Sequence, residues 1–234
     1  MDTSKIEVRP LLTRHVQGAV DLHLYQLSDE FITRFGKGFL IKYYEAFAQS
    51  PHGVALVAIE VETGRVVGTL LGSLRAAQHY RYVFRRFGMS LGLRILWSAL
   101  TNPALARDIL NTRLRRYVRG TMRLILKKFG ARSLHRVETE TVGDLTHLVV
   151  DLACRSQGVG SQLVRTYESL AFKANVNRID LVTLPGNFGG AGDFYERLGY
   201  CCVGQHVSRS GETFLLYRKY AVKPVTQEAV QSLQ

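Results

Sequence analysis

Apolar and polar positions change their rhythm several times along this chain of 234 residues. Short β-branched runs at 6–12, 54–61, 65–74, 178–184, 200–207 and 213–219 read as strands. Between them, apolar residues recur at helical spacing. Val16, Ala19, Val20, Leu24 and Leu27 form one stripe, with Thr13 as the expected cap. The aromatics Phe35, Phe39, Tyr43, Tyr44 and Phe47 form another over 31–48, which Gly36 and Gly38 are expected to divide. Glu62-Thr63-Gly64 signals a hairpin, and Gly68 and Gly72 in its second strand signal bulges or close backbone approach. A short helix over 191–198 ends at Gly199, and a polar, loose tail is expected from 221 onward.

The most informative stretch is 148–174. Leu148-Val149-Val150 is a short apolar strand ended by Asp151. The turn Arg155-Ser156-Gln157-Gly158-Val159-Gly160-Ser161 follows. An amphipathic helix comes next, with Leu163, Tyr167, Leu170, Ala171 and Ala174 on one side. Two glycines let the turn expose its amides, and the helix start adds free N–H groups and a positive dipole end. The chemistry is that of a phosphate or pyrophosphate cradle.

The stretch 75–132 has a different character. It is helical by pattern, with Pro103 separating a first helix over 82–100 from a second over 105–129. Arginine and lysine crowd it, and Asp108 is its only acid. It accounts for essentially all of the net charge of +12, which points to an anionic partner. Three readings follow: a solvated basic face, an anionic substrate such as a nucleotide sugar, or weak contact with an anionic membrane surface. Nucleic acid ranks below these. Hydrophobic content of 46% is enough for a core. Cys154, Cys201 and Cys202 lack metal-site spacing and fit a reducing, cytoplasmic setting. The start of the chain lacks the apolar core of a signal peptide, and no run has the length of a membrane span.

Two familiar phosphate loops are a poor match. A dinucleotide fingerprint needs a third glycine where Leu163 stands, and a P-loop needs Gly-Lys-Ser/Thr. The segment from Arg155 to Gly160 resembles instead the R/Q-x-x-G-x-G/A loop of the GNAT N-acetyltransferase superfamily. Asp144-Leu145-Thr146-His147-Leu148-Val149-Val150-Asp151 resembles that family's fourth strand. The stretch 187–200, Asn187 through Ala191, Phe194-Tyr195 and Leu198-Gly199-Tyr200, resembles its Asn…Ala…Phe-Tyr…Leu-Gly-Tyr/Phe segment. Phe188 departs from the pattern, because relatives commonly carry Asn three residues before the alanine matching Ala191.

The resemblance implies an α/β (α+β) fold: a mixed, mostly antiparallel sheet flanked by helices, splayed between its fourth and fifth strands. One domain over 1–220 would carry the basic helical insertion 75–132, followed by the tail 221–234. It further implies that acetyl-coenzyme A is the acyl donor, with no metal. Its pyrophosphate would lie on Ser156, Gln157, Gly158, Val159, Gly160 and Ser161, with Arg155 and Asn187 as further contacts. Leu148, Val149 and Val150 would pair with the pantetheine arm, and an N–H near Val149 would polarise the thioester. Tyr195 takes the place of the family's acid. Asp144 and His147 are the leading candidates for the base, with Glu138 and Glu140 as further ones. Strand alternation sends Asp144 and His147 to opposite faces unless a bulge intervenes. The expected activity is acetyl transfer to a primary amine of a small, possibly anionic acceptor, an amino sugar or nucleotide sugar. The alternatives are a coenzyme A-binding module without turnover and a protein N-acetyltransferase recruited to an anionic surface.

Overall fold

The computed structural model describes residues 5–109, 141–186, 190–207 and 212–221. Seven strands form one sheet in the order β1-β2-β3-β4-β5-β7-β6. They are β1 Ile6–Pro10, β2 Gly53–Glu60, β3 Val66–Ser73, β4 Val142–Val150, β5 Arg178–Thr183, β6 Cys201–Val207 and β7 Thr213–Tyr220. Every neighbouring pair is antiparallel except β4 and β5, which run parallel. The helices are α1 Thr13–Gln26, α2 Lys37–Gln49, α3 Ala76–Thr101, α4 Pro103–Asp108, α5 Val159–Lys173 and α6 Gly192–Arg197.

The central strands β2 and β3 are buried on both faces, so they read as continuous apolar runs rather than as alternation. Period two still sorts their side chains. Val57, Ile59 and Leu71 pack with Val16, Val20, Leu40 and Phe47 of α1 and α2. Leu56, Ala58 and Leu70 pack with Leu163, Val164 and Tyr167 of α5. The two glycines of β3 are explained by α5 and β4. A Cβ on Gly68 would press on Val159 and Leu163. One on Gly72 would meet the Tyr167 ring at 2.7 Å and the Asp144 carbonyl at 2.9 Å.

Several boundaries differ from the sequence expectation for identifiable reasons. Leu12, not Thr13, is the cap of α1, and it offers no side-chain cap; the first helical turn is closed by the Leu12 N–H donating to His15 Nδ1 at 3.4 Å. The division of 31–48 falls at Gly36 alone, whose φ of 81° ends a 3₁₀ turn over Phe31–Phe35, while Gly38 lies inside α2. Helix α3 begins six residues earlier than its apolar stripe, because nothing in Ala76 to Arg81 breaks a helix. It ends where Asn102 precedes Pro103, and Asn102 accepts from the Leu105 N–H to start α4. The expected second basic helix beyond 109, the expected turn at 208–211 and the expected tail from 222 lie outside the described residues.

Candidate active site

Strand β4 organises the site. It pairs with β3 along its length but with β5 only from Val142 to Leu145. From Thr146 to Val150 its β5-facing edge has no strand partner, and this is the splay between the fourth and fifth strands. The register decides which groups face the gap. Asp151 N–H donates to Val67 O across an antiparallel ladder in which Val149 opposes Thr69 and Val150 opposes Gly68. Hydrogen-bonded pairs alternate along such a ladder, so Val149 turns its N–H and C=O toward β3. Leu148 and Val150 turn theirs into the gap. The Val149 N–H, expected to polarise the thioester, faces β3 instead.

A bulge then changes which side chains share a face. Leu71 opposes His147 and Gly72 opposes Leu145, leaving Thr146 as an extra residue in β4. Ser73 and Leu71 lie on one face of β3, so their partners Asp144 and His147 also share a face. Simple alternation predicted the reverse. Asp144 accepts hydrogen bonds from Tyr80 and Thr146, each at 3.2 Å. Burial pushes its carboxyl above the ordinary range, against the pull of those two bonds.

His147 sits in a chain of partners that periodicity had assigned to the core or left unremarked. Its Nε2 lies 3.2 Å from the Tyr43 hydroxyl, and its Nδ1 lies 3.4 Å from Glu30. The same Glu30 oxygen is 3.3 Å from Nε2 of the fully buried His23, whose Nδ1 meets the Tyr44 hydroxyl at 2.8 Å. Burial opposes the charge on Glu30, yet the bonds from His147 and His23 hold its carboxyl at about 2. Burial likewise lowers His23, so its imidazole stays neutral. Neutral rings satisfy the whole chain if each donates N–H to Glu30 and accepts a tyrosine O–H. His23, Glu30 and His147 bring three ligand atoms within 4.8 Å of one another, a set able to take a divalent cation, but each of these imidazole nitrogens already has a protein partner. The only advance sign of this cluster was polar residues embedded in otherwise apolar helical stripes.

The loop after β4 has the form expected of an anion cradle. Ser156 and Gly158 are left-handed, with φ of 61° and 82°, and α5 starts at Val159. The first intrahelical bond is Gln162 N–H to Gly158 O. The N–H groups from Ser156 to Ser161 therefore have no acceptor among the described residues, a row of six free donors beside the helix start. Only Gly158 needs to be glycine for its conformation. A Cβ on Gly160 would make ordinary contacts with Phe194 and Val150, so its absence keeps open space rather than relieving a clash. Arg155 reaches Gln26 at 3.4 Å and makes no ion pair among the described residues.

Tyr195 lies on α6, nearly enclosed against Tyr200 and Tyr217, and burial pushes its phenol well up. Its neighbour Phe194 borders the loop at Gly160. Asn187, Glu138 and Glu140 lie outside the described residues. Three arginines of α3, Arg81, Arg85 and Arg86, line a separate open cavity with His52.

Residues 116–200 match the Acetyltransferase (GNAT) family. No curated protein matches the chain. Among solved structures, aminoglycoside 6'-acetyltransferase type Ii superposes with a TM-score of 0.56 at 15% identity, over 93% of this chain and 99% of that one. An aminoglycoside 6'-N-acetyltransferase complexed with coenzyme A gives 0.55 at 14% identity, over 93% and 99%. Ard1 from Thermoplasma volcanium gives 0.54 at 13%, again over 93% and 99%. At such identities the likeness is one of fold.

Proposed function

We propose that the chain is a GNAT-type acetyltransferase that moves an acetyl group from acetyl-coenzyme A to a primary amine of a small, cationic acceptor. The observation that carries this reading is the junction of two features on one strand. Six unpartnered amides follow the end of β4, and an open β4 edge lies beside Asp144 and His147.

In this reading the donor's pyrophosphate lies on the amides from Ser156 to Ser161, with Arg155 alongside. The gap-facing groups of Leu148 and Val150 pair with the pantetheine arm, and one of their N–H groups faces the thioester oxygen. The neutral amine attacks the carbonyl carbon, the C–S bond breaks, and the nitrogen's proton passes to a base. We assign that base to Asp144. Burial raises its carboxyl toward the useful range, whereas both nitrogens of His147 are engaged by Glu30 and Tyr43. His147 is then a positioning residue. The leaving thiolate takes a proton from Tyr195. Burial makes that proton harder to release, so Tyr195→Phe is the deciding variant: unchanged turnover removes Tyr195 from the acid role.

The acceptor's charge follows from its surroundings. His147 meets Glu30 and Tyr43, and Asp144 with its partner Tyr80 lies on the same face of β4, whereas Arg81, Arg85 and Arg86, three of the basic residues that suggested an anionic acceptor, line a different cavity. Two of the similar structures are aminoglycoside acetyltransferases, which agrees with a polycationic amine. Incubating the chain with acetyl-coenzyme A and a panel of neutral, anionic and polycationic amines tests this. Thiol release should be greatest with polycationic amines. No release from any amine, with no coenzyme A binding by calorimetry, would remove the enzyme reading. Binding without release would favour a module that does not turn over.

A further inference from the structure

Helix α3 is apolar on two opposite flanks. The inner flank packs on the α1–α2 core through Phe87 and Leu91, with Val83 and Ile95 beside them. Near the helix start, Tyr80 reaches Asp144. The outer flank carries Met89, Leu93, Leu96, Trp97 and Leu100, which are 80, 60, 55, 70 and 71% exposed. At the α-helical repeat these five fall within a sector about 100° wide. Toward the helix start Arg86 falls within that sector, Arg85 at its edge and Arg81 further round the helix; all three border an open cavity of about 450 Å³ with Pro51 and His52. Between Ala76 and Thr101 the sequence has no Asp or Glu. None of the three arginines forms an ion pair among the described residues.

A merely solvated basic face does not need five large apolar side chains turned to water, and a contiguous patch of this kind marks a contact surface. We infer that the outer face of α3 docks in the plane of an anionic lipid bilayer. Trp97 and its leucine neighbours enter the boundary between headgroups and acyl chains, and Arg81, Arg85 and Arg86 meet the lipid phosphates. Charge selects this occupant. A second copy of the chain would bring another acid-free arginine row toward the first, and RNA would leave the tryptophan and leucines unburied. No helix among the described residues is long and apolar enough to cross a membrane, so the contact lies along the surface. The Tyr80 side of the helix stays turned toward the cleft.

Trp97 is the single tryptophan of the chain, so its fluorescence reports this face directly. The full chain is titrated with vesicles of phosphatidylcholine alone and of phosphatidylcholine with about one-third phosphatidylserine. The mixed vesicles should shift Trp97 emission to the blue, protect it from acrylamide and carry the protein through flotation, with all three weakened by salt. Reversing Arg81, Arg85 and Arg86 together to Glu should weaken binding about a hundredfold. The double variant Leu93→Ser, Leu100→Ser keeps the reporter and should abolish the blue shift, with circular dichroism checking that the helices remain. Equal binding to both vesicle types, or none to either, would overturn the inference. So would emission already blue-shifted without lipid, a shift that grows with protein concentration alone, or a shift given by RNA and not by vesicles.

Discussion

Asp144 and the two glycines of the loop are where single side chains decide most. Asp144→Asn removes the proposed proton acceptor but keeps the shape and the Tyr80 partner, so turnover should fall about a hundredfold while the KM for acetyl-coenzyme A changes little. A loss confined to KM would remove Asp144 from the base role. Gly158 and Gly160 should respond differently to the same substitution. Gly158→Ala forces a Cβ into a left-handed position and should cost about 1–2 kcal/mol of stability. Gly160→Ala meets only ordinary contacts within the protein, so its melting temperature should hold while coenzyme A affinity drops about tenfold. Calorimetry on the pair separates folding from ligand approach. The glycines were legible in the sequence because backbone freedom is a property of the residue type. The role of Glu30 was not, because its charge acquires meaning only from two histidines brought to it by α1 and β4.

The bulge in β4 is the element on which the site turns. Its extra residue, Thr146, brings Asp144 and His147 to one face, and it is accommodated where Gly72 leaves room for the Tyr167 ring. Tyr167 in turn donates its hydroxyl to Ser73 O at 2.8 Å, tying α5 to the end of β3. Gly72→Ala should therefore destabilise the protein by more than about 2 kcal/mol and lower activity beyond that loss, since the same Cβ presses on the Asp144 carbonyl. Tyr167→Phe removes only the buried hydrogen bond and should cost about 1–2 kcal/mol, with activity per folded molecule preserved. Denaturant unfolding alongside single-turnover rates distinguishes the two. Helical stripes and hairpin turns could be read from periodicity. The bulge could not, because period two assumes an unbroken register, and its interruption is set by what packs on the neighbouring strand.

Across the whole molecule, buried ionisable groups make stability fall with pH in two steps. His79 is fully buried against Phe47, neither ring nitrogen has a partner among the described residues, and burial lowers its pKa from 6.5 to about 4. The unfolded chain therefore takes up a proton before the folded one does. This contribution is complete above pH 6.5 and is lost as pH falls toward 4; on the order of 3 kcal/mol is at stake. His23, also lowered, acts in the same direction. Glu30, held at about 2 against its ordinary 4.5, adds a second loss below pH 4.5. Thermal melts over roughly pH 8 to pH 3 should decline through both ranges. His79→Leu should shrink the upper step, leaving the His23 part of it, and leave the lower one.

Local chemistry in the sequence was enough to establish the strand–loop–helix unit, the order of most elements and the acetyltransferase resemblance. These depend on spacings of residue types along a single stretch of chain. Tertiary structure alone decided which of Leu148, Val149 and Val150 face the gap, that Asp144 and His147 meet on one side, and that Glu30 joins them. It also set Arg81, Arg85 and Arg86 around a cavity whose lining includes neither Asp144 nor His147. The physical reason is the same in each case: hydrogen-bond register and side-chain direction are properties of a strand or helix together with its neighbours. The +12 charge is written in the sequence, but the direction in which α3 presents its arginines and its apolar stripe belongs to the fold.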